Sequence, residues 1–394
     1  MQSNKDFKTP KKIVYVTTVR LPTEKAHGLS TVKICEALSS CGYEVDLIIP
    51  QLWRKNGGDV YGYYGVKRNF NILKIPCIDL IPIRFFDKVT FLIQSFSFSF
   101  FLFFFIWFKY WGKKNEIVFF SHDYIPLFFS SLLPFNIFYD IHHFPGKNFM
   151  YKRIMKRSFG FAVQTKWKIS ELGVQFGIKP EKIIYWPNGT DVTRFDISES
   201  MNEARQKIGI PLDKKIVMYT GSLFDWKGVD SLIRSIKYIP ENVLVYLVGG
   251  TDRDVAVCKE NIIEAKDSRV VFVPFQSFLK IPLWDRSADV LVLPNTGKQK
   301  VSMYYTSPMK LFDYMASGKP IVATSTLAIL EILNKDNSIL VEPDNPQELA
   351  KGIELILRDN EVAQKISAKS FSDSKQYTWL ERAKKITEFI NKHA

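Results

Sequence analysis

The sequence predicts an α/β protein with two Rossmann-like domains, each a parallel sheet covered by helices on both faces. At 394 residues the chain is longer than a single hydrophobic core usually supports. Short apolar strands alternate with helical patterns twice, once from residue 11 and again from residue 214. Such strands are typical of parallel sheets that are buried on both sides. A polar segment, 188–206, separates the two runs and marks the boundary between the domains.

The first run opens with the strand K-K-I-V-Y-V-T-T, followed by a helix and a second strand that ends at Pro50. Ligands of such sheets lie at the carboxyl ends of the strands, so functional residues are expected after each strand. Later strands of this half are predicted at 116–121, 136–142, 160–165 and 182–187. The strands of the second half are predicted at 214–221, 242–250, 269–274, 288–294, 320–324 and 338–343.

The run Val89–Phe108 contains twenty uncharged residues and reaches the length that spans a bilayer. Spanning is rejected because the strands before and after the run are expected in one sheet. Thr90, Gln94 and Ser97 also form a polar stripe in its first half. Two interpretations stay open: a helix buried in the first domain, or a helix that lies in the membrane interface with its aromatic side chains inserted.

The chain carries a formal net charge of +14, and part of the excess lies between Lys147 and Lys182. Nine Lys or Arg residues occur there with only two Glu residues. This cluster favours an anionic membrane surface as a partner, with an ordinary solvated basic face as the alternative. No signature of a nucleic-acid-binding module is found, so no nucleic acid is expected as a partner.

The cysteine pattern and the first residues bear on the compartment. The four cysteines have no metal-ligand spacing and indicate buried thiols in a reducing environment. The N-terminal stretch is polar and basic, and it leads into a strand without a signal peptide. A cytoplasmic protein, peripherally associated with the inner face of the membrane, is therefore expected. No metal site and no cofactor are predicted.

The segment 306–324 predicts a helix over 307–317 and a buried strand after it. Ser307 is expected to be the N-cap, and Pro308 suits the first helical position. Lys310 and Asp313 share one face of this helix. Free N–H groups at the helix N-terminus and a lysine favour phosphate, and a carboxylate can accept hydrogen bonds from sugar hydroxyls. The pattern predicts a sugar-nucleotide site, with a capped surface helix carrying an incidental ion pair as the alternative.

Several motifs occur in a characteristic order along the chain: L-P-T-E-K-A-H-G-L-S, D-I-H-H-F-P, P-N-G-T-D, G-S-L-F-D-W-K-G, A-D-V-L-V-L-P and S-P-M-K-L-F-D-Y-M-A-S-G-K-P-I-V-A. Together they resemble the retaining glycosyltransferases of family 4, which have the GT-B fold. The resemblance covers essentially the whole chain. It implies two domains that face a cleft: an acceptor-binding domain at 1–187, a donor-binding domain at 188–375, and a helix at 376–394 that packs back on the first domain.

The resemblance also implies roles for individual residues. Lys227 and Lys310 would neutralise the donor diphosphate, and His142 would lie near the donor sugar; these three are the predicted catalytic residues. Tyr305 and Asp313 align with the family's pair of glutamates. The predicted donor-binding residues are Gly28, Leu29, Gly221, Ser222, Lys227, Tyr305, Thr306, Ser307, Pro308, Lys310, Leu311 and Asp313.

The activity that the resemblance implies is retaining, metal-independent hexosyl transfer from a UDP- or GDP-sugar. The implied acceptor is lipid-linked or a glycan, in the assembly of capsule, O-antigen or exopolysaccharide. Two alternatives stay open. One is an inactive GT-B scaffold of a polysaccharide assembly complex, because Tyr305 cannot act as a carboxylate. The other is a nucleotide-sugar 2-epimerase.

Overall fold

The computed structural model describes residues 10–52, 58–80 and 87–394, and the chain divides into two compact units. Unit 1 runs to Trp186 and takes up the chain again at Trp379, whereas unit 2 is Pro187–Thr378. Each unit is built on one sheet of parallel strands with helices around it. The predicted α/β fold with two parallel sheets is therefore confirmed.

The sheet of unit 1 has seven described strands in the order β3-β2-β1-β4-β5-β6-β7. Its central strands are almost completely buried, as expected for apolar runs covered on both faces. β1 lies between β2 and β4, with Val14 opposite Phe119 on one side. The strands are β1 (Lys12–Val16), β2 (Glu44–Gln51), β3 (Asn71–Pro76), β4 (Ile117–Ser121), β5 (Asn136–Ile141), β6 (Ser158–Val163) and β7 (Ile183–Tyr185).

Helices connect these strands. They are α1 (Ala26–Ser40), α2 (Val60–Tyr64), α3 (Asp87–Tyr110), α4 (Tyr124–Ser130), α5 (Phe149–Arg157) and α6 (Lys166–Phe176). Within the described residues, Lys88–Lys113 is the one helical segment long and apolar enough to cross a membrane, and 39% of its most apolar window is buried. Phe98, Leu102 and Ile106 of α3 lie in the core with β1 and β4. The prediction of a core helix is thus right for one face of α3; its other face is exposed.

The sheet of unit 2 has six described strands in the order β10-β9-β8-β11-β12-β13. The strands are β8 (Lys215–Thr220), β9 (Val243–Val248), β10 (Val270–Val273), β11 (Val290–Leu293), β12 (Ile321–Thr324) and β13 (Ile339–Val341). The helices are α7 (Met201–Ile208), α8 (Val229–Ser235), α9 (Asp252–Asn261), α10 (Ile281–Ser287), α11 (Met309–Ser317), α12 (Leu327–Leu330), α13 (Pro346–Arg358) and α14 (Asn360–Ser374). Two core layers, one on each face of the sheet, enclose these strands.

The last helix, α15 (Trp379–His393), belongs to unit 1. It packs against α1 and β6 through its buried residues, among them Ala383, Ile386 and Ile390. The guanidinium of Arg382, also buried, donates hydrogen bonds to the carbonyl of Trp186 and to Asp140 at the end of β5. The C-terminal helix, predicted at 376–394, thus begins at Trp379 and lies in the same unit as the first sheet.

Candidate functional site

In unit 2, the loop after β8 lies directly on a lysine side chain. β8 ends at Thr220, and the next residue, Gly221, has a φ of +133°, which only glycine adopts readily. A Cβ atom at Gly221 would lie 2.7 Å from Nζ of Lys310. The glycine therefore allows the backbone to pass over the lysine, and the structure brings these two predicted site residues together.

Lys310 is the second residue of α11, and its ammonium nitrogen is buried. Nζ lies 3.4 Å from the centre of the Tyr219 ring, a cation–π contact. In the described part of the chain, Nζ has no hydrogen-bond acceptor. Burial lowers the pKa of Lys310 well below its ordinary value, and repulsion from Lys227 lowers it further, while Asp285 partly opposes both. Such a cation is stabilised by an anionic ligand.

Lys227 lies close enough to Lys310 to affect its charge. It ends a single 3-10 turn, Asp225–Lys227, in the loop that follows β8, and its Nζ is 3.7 Å from the centre of the Trp226 ring. Burial lowers the pKa of Lys227 to about 7. The two lysines therefore form a pair of like charges in a partly dry environment, which favours a ligand with two or more negative charges.

The beginning of α11 differs from the sequence prediction. The helix starts at Met309, Pro308 occupies the N-cap position, and no side chain caps the helix. The prediction that Ser307 is the N-cap is wrong, because its hydroxyl accepts a hydrogen bond from the backbone N–H of Asn188 (3.0 Å). The amide of Asn188 also donates to the carbonyl of Ser307 (2.7 Å). The P-N-G-T-D motif thus holds the segment that leads into α11.

Other predicted donor-binding residues lie around α11. One carboxylate oxygen of Asp313 accepts a hydrogen bond from the hydroxyl of Thr190 (2.6 Å). Tyr305 and Thr306 are half-buried at the end of the π-helical turn before α11. The side chain of Leu311 lies in the core and its N–H bonds to the carbonyl of Pro308. The carbonyl of Ser222 accepts a hydrogen bond from Tyr219, which fixes the loop that carries Lys227 (2.6 Å).

A buried carboxyl group, Asp285 of α10, was not identified from the sequence. Its side chain is fully buried beside α11. Burial raises the pKa of Asp285 well above its ordinary value, and the charge of Asp313 raises it further. The signal in the sequence was an acidic residue on the apolar face of the helix that precedes A-D-V-L-V-L-P.

In unit 1, His142 stands just after β5 and is oriented by Asp140. Nε2 of His142 lies 3.1 Å from Oδ2 of Asp140. Asp140 is buried and also accepts hydrogen bonds from Gln164 (2.7 Å) and from Arg382. Burial alone would raise the pKa of Asp140, but the charge of Arg382 and the interactions with His142, together with their hydrogen bonds, outweigh it and hold the carboxyl ionised. Arg382 was not among the predicted site residues; its position in α15 was the only signal.

A second histidine packs against the first. The ring of His122 stacks on that of His142 with centres 4.9 Å apart, and Nδ1 of His122 lies 2.6 Å from the hydroxyl of Tyr15. Burial lowers the pKa of His142 to about 4, although the Asp140 carboxylate opposes this shift. His142 is therefore neutral near pH 7 and able to donate or accept a single hydrogen bond.

Gly28 and Leu29, both predicted donor-binding residues, lie in the first turn of α1. A Cβ atom at Gly28 would lie 2.3 Å from the hydroxyl of Tyr64. That hydroxyl donates to the carbonyl of Thr23 and accepts from its N–H, both at 2.8 Å. The packing of Tyr64 is thus one physical reason for a glycine here. The side chain of Leu29 is buried.

A known protein family matches the second half of the chain. Residues 214–359, within unit 2, match the family model described as Glycosyl transferases group 1. Over 187 residues the chain is 33% identical to an uncharacterised glycosyltransferase of Methanocaldococcus jannaschii, an alignment that covers 45% of each protein. The chain spans about half the length of the curated relatives it matches. The resemblance to group 1 glycosyltransferases is confirmed for this region.

Solved structures match over nearly the whole chain. HepE of Anabaena, in complex with UDP and glucose, has a TM-score of 0.73 at 15% identity, covering 96% of this chain and 98% of that one. WaaG, a glycosyltransferase involved in lipopolysaccharide biosynthesis, has a TM-score of 0.68 at 15% identity, covering 96% and 99%. At such identities the similarity concerns the fold alone, and it confirms the predicted GT-B fold.

Proposed function

We propose that this chain, whose residues 214–359 match the Glycosyl transferases group 1 family model, is a glycosyltransferase that uses a nucleotide-sugar donor. The observation that carries the proposal is the buried ammonium group of Lys310, which has no hydrogen-bond acceptor among the described residues and lies near Lys227. A buried cation without a counter-charge is costly, and a second one beside it more so. A diphosphate would supply the missing negative charge.

The same arrangement suits the departure of a nucleoside diphosphate. As the bond between the anomeric carbon and the phosphate oxygen breaks, negative charge develops on the diphosphate. Lys227, Lys310 and the uncapped N–H groups of α11 would stabilise that charge, because they are held in place before the reaction begins. This assigns the neutralisation of the leaving group to the chain's own positive groups, in keeping with a metal-independent reaction.

The donor we propose is a UDP- or GDP-sugar. The solved complexes of HepE with UDP-glucose and with UDP support the first of these. Asp313 would accept hydrogen bonds from the ribose. Tyr305 would line the site without supplying the second carboxylate of the family pattern.

We further propose that the transfer is of a hexose and retains the configuration of the anomeric carbon, as the family 4 resemblance implies. In this mechanism the acceptor attacks from the side of the leaving group, and the departing phosphate takes the acceptor's proton. The protein then contributes mainly position and charge stabilisation. His142, neutral and oriented by Asp140, would hydrogen-bond the donor sugar.

The acceptor we propose is a lipid-linked or glycan intermediate of cell-surface polysaccharide assembly, such as capsule, O-antigen or exopolysaccharide. The role of WaaG in lipopolysaccharide biosynthesis supports this class of acceptor. We place the reaction at the cytoplasmic face of the membrane, where nucleotide sugars are available.

The experiment that tests the proposal is a panel of UDP-, GDP-, ADP- and dTDP-sugars, measured by thermal shift and then by product analysis. Lys310→Ala and Lys227→Ala should each lower turnover, by an amount that corresponds to a loss of about 2–4 kcal/mol of transition-state stabilisation. Lys351→Ala, an exposed lysine of α13, is the matched control and should have no effect.

Four outcomes would contradict the proposal. Binding without turnover on any lipid or glycan acceptor would favour an inactive scaffold. A product epimerised at C2 in the absence of acceptor would favour an epimerase. Normal turnover in both lysine variants would show that the diphosphate lies elsewhere. Nuclear magnetic resonance of the product decides retention, since an inverted anomer would exclude the proposed mechanism.

A further inference from the structure

The outward face of α3 is apolar where a helix at a protein surface is normally polar. Phe98, Leu102 and Ile106 are buried in the core of unit 1, so one face of the helix is already fixed. The opposite face is as apolar, and Phe108 is 81% exposed. A helix that is apolar all round is expected to have apolar surroundings on every side. Exposed aromatic residues include Phe96, Phe100, Phe104, Trp107 and Phe108 of α3 and Trp111 in the turn that follows it.

The apolar surface continues beyond α3. The ring of Phe96 contacts that of Phe129 in α4 (centres 6.3 Å apart), and the neighbouring Phe128 contacts Phe149 at the start of α5 (5.5 Å). Phe149 is itself 71% exposed. The aromatic face, defined as the five exposed residues of α3 together with Trp111, Phe129, Phe128 and Phe149, therefore extends across three helices. A contiguous exposed apolar patch that extends over several helices marks an interaction site.

Positive charge borders the aromatic face at both ends. Exposed lysines follow α3, at Lys113 and Lys114, and Lys109 lies in its last turn. At the other end, Phe149 begins α5, whose exposed side carries Lys152 and Lys156. Aromatic side chains flanked by lysines are suited to the boundary between lipid headgroups and acyl chains of an anionic bilayer.

The sheet of unit 1 determines how α3 can meet a bilayer. α3 lies in the chain between β3 and β4, and β4 is hydrogen-bonded to β1. If α3 crossed a membrane, these paired strands would have to lie on opposite sides of it. The buried face of α3 would also have to leave the core. The helix can therefore only lie parallel to the membrane plane.

We propose that the aromatic face docks unit 1 on an anionic lipid bilayer, with α3 parallel to the surface and its exposed aromatic side chains in the headgroup region. The occupant is the lipid surface and not a second copy of the chain, because the described lysines border the face at both ends and two copies would repel each other there. The inference does not depend on the proposed glycosyl transfer.

The first experiment is flotation of the full chain with vesicles of phosphatidylcholine alone and of phosphatidylcholine with phosphatidylglycerol. We expect at least about tenfold stronger binding to the anionic vesicles. High salt should weaken the binding but not abolish it, because the apolar contribution is not screened. Brominated lipids should quench the fluorescence of the chain, and the quenching should fall in Trp107→Phe/Trp111→Phe.

Substitutions separate the apolar contribution of the aromatic side chains from the electrostatic contribution of the lysines. Phe100→Gln/Phe104→Gln changes exposed residues only, so the fold is kept, and we expect about tenfold weaker binding to anionic vesicles. Leu355→Gln/Phe371→Gln, two exposed apolar residues of unit 2, is the matched control and should bind as the unchanged chain does. Lys113→Glu/Lys114→Glu should remove the preference for anionic lipid, whereas Lys351→Glu should keep it.

Three results would overturn the inference. Equal binding of the unchanged chain and of Phe100→Gln/Phe104→Gln would show that the aromatic face does not touch lipid. Dimers that form without vesicles and disappear in this variant, with no vesicle binding, would show that a second copy covers the face. Resistance to extraction by alkaline carbonate would show that α3 spans the bilayer.

Discussion

One guanidinium nitrogen of Arg382 lies 2.7 Å and 2.8 Å from the two carboxylate oxygens of Asp140, and both side chains are buried. The pair joins the last helix of unit 1 to the strand end that carries His142. Arg382 thus stabilises the ionised form of Asp140, which in turn orients the histidine ring.

Arg382→Met should destabilise unit 1 by about 3–5 kcal/mol, because it leaves a buried carboxylate without its partner. Hydrogen exchange read out by mass spectrometry resolves the two units, and the loss of protection should be confined to unit 1. Arg358→Met is the control, since Arg358 is 76% exposed and pairs with Glu354 of the same helix. Unchanged protection in unit 1 would mean that other groups satisfy Asp140.

His142→Gln should remove part of the acid sensitivity of unit 1. The pKa of His142 is about 4 in the folded chain and 6.5 in its ordinary state. The unfolded chain therefore binds the proton more readily, so this contribution is fully present above pH 6.5 and is lost as the pH falls to 4. The loss amounts to at most about 3 kcal/mol.

The check is the thermal midpoint of the unchanged chain and of His142→Gln between pH 7 and pH 4. The thermal midpoint of His142→Gln should fall less between pH 7 and pH 4 than that of the unchanged chain. His393→Gln, a substitution of an exposed histidine in α15, should leave the decline as it is. If His142→Gln and the unchanged chain decline in parallel, protonation of His142 does not oppose folding.

Lys310→Met should have opposite effects on stability and on ligand binding. Without a ligand the substitution removes a buried ammonium group that has no hydrogen-bond acceptor among the described residues, together with its repulsion from Lys227. The free energy of unfolding should therefore rise by about 1–4 kcal/mol. With UDP present the variant should show a smaller thermal shift than the unchanged chain. Lys351→Met should alter neither melt. A loss of stability without ligand would show that Lys310 is held by structural contacts.

Gly221→Ala should impair the anion site more than its backbone strain explains. The new Cβ would lie 2.7 Å from Nζ of Lys310 and would have to displace the lysine. Gly209→Ala is the matched control, because Gly209 also has a positive φ (+74°) but nothing within 4 Å of the added atom. Each should cost about 1 kcal/mol in stability, and only Gly221→Ala should weaken UDP binding in calorimetry. Equal UDP affinity in both variants would separate Gly221 from the site.

The family resemblance was enough to expect Lys227 and Lys310 at one site, and the sheet topology gives a physical reason for it. Both follow strands of one parallel sheet, and the carboxyl ends of such strands lie at the same edge. The alternation of strands and helices fixes that edge without knowledge of any side-chain contact. The glycine before Ser222 could be recognised for the same reason, as part of a turn at a strand end.

Features that depend on a distant partner could not be predicted in this way. Ser307 has the side chain of a good N-cap, but Asn188 takes its hydroxyl. Nothing local in the sequence of α15 indicates that Arg382 meets Asp140. The apolar run of α3 is uniform, so its composition could not reveal which face packs on the sheet and which stays exposed.

Asp140 and Arg382 are 242 positions apart in the sequence, and all of unit 2 lies between them along the chain. During synthesis on the ribosome, the strand that carries Asp140 emerges long before the arginine does. Asp140 of unit 1 therefore lacks its arginine partner while unit 2 is synthesised. Unit 2 is one continuous segment and can fold during this time. Loop-closure entropy adds to the delay. The second unit to be translated is thus expected to be the first to reach its native state, and nascent chains stalled before Trp379 should hold a folded unit 2 beside an unfinished unit 1.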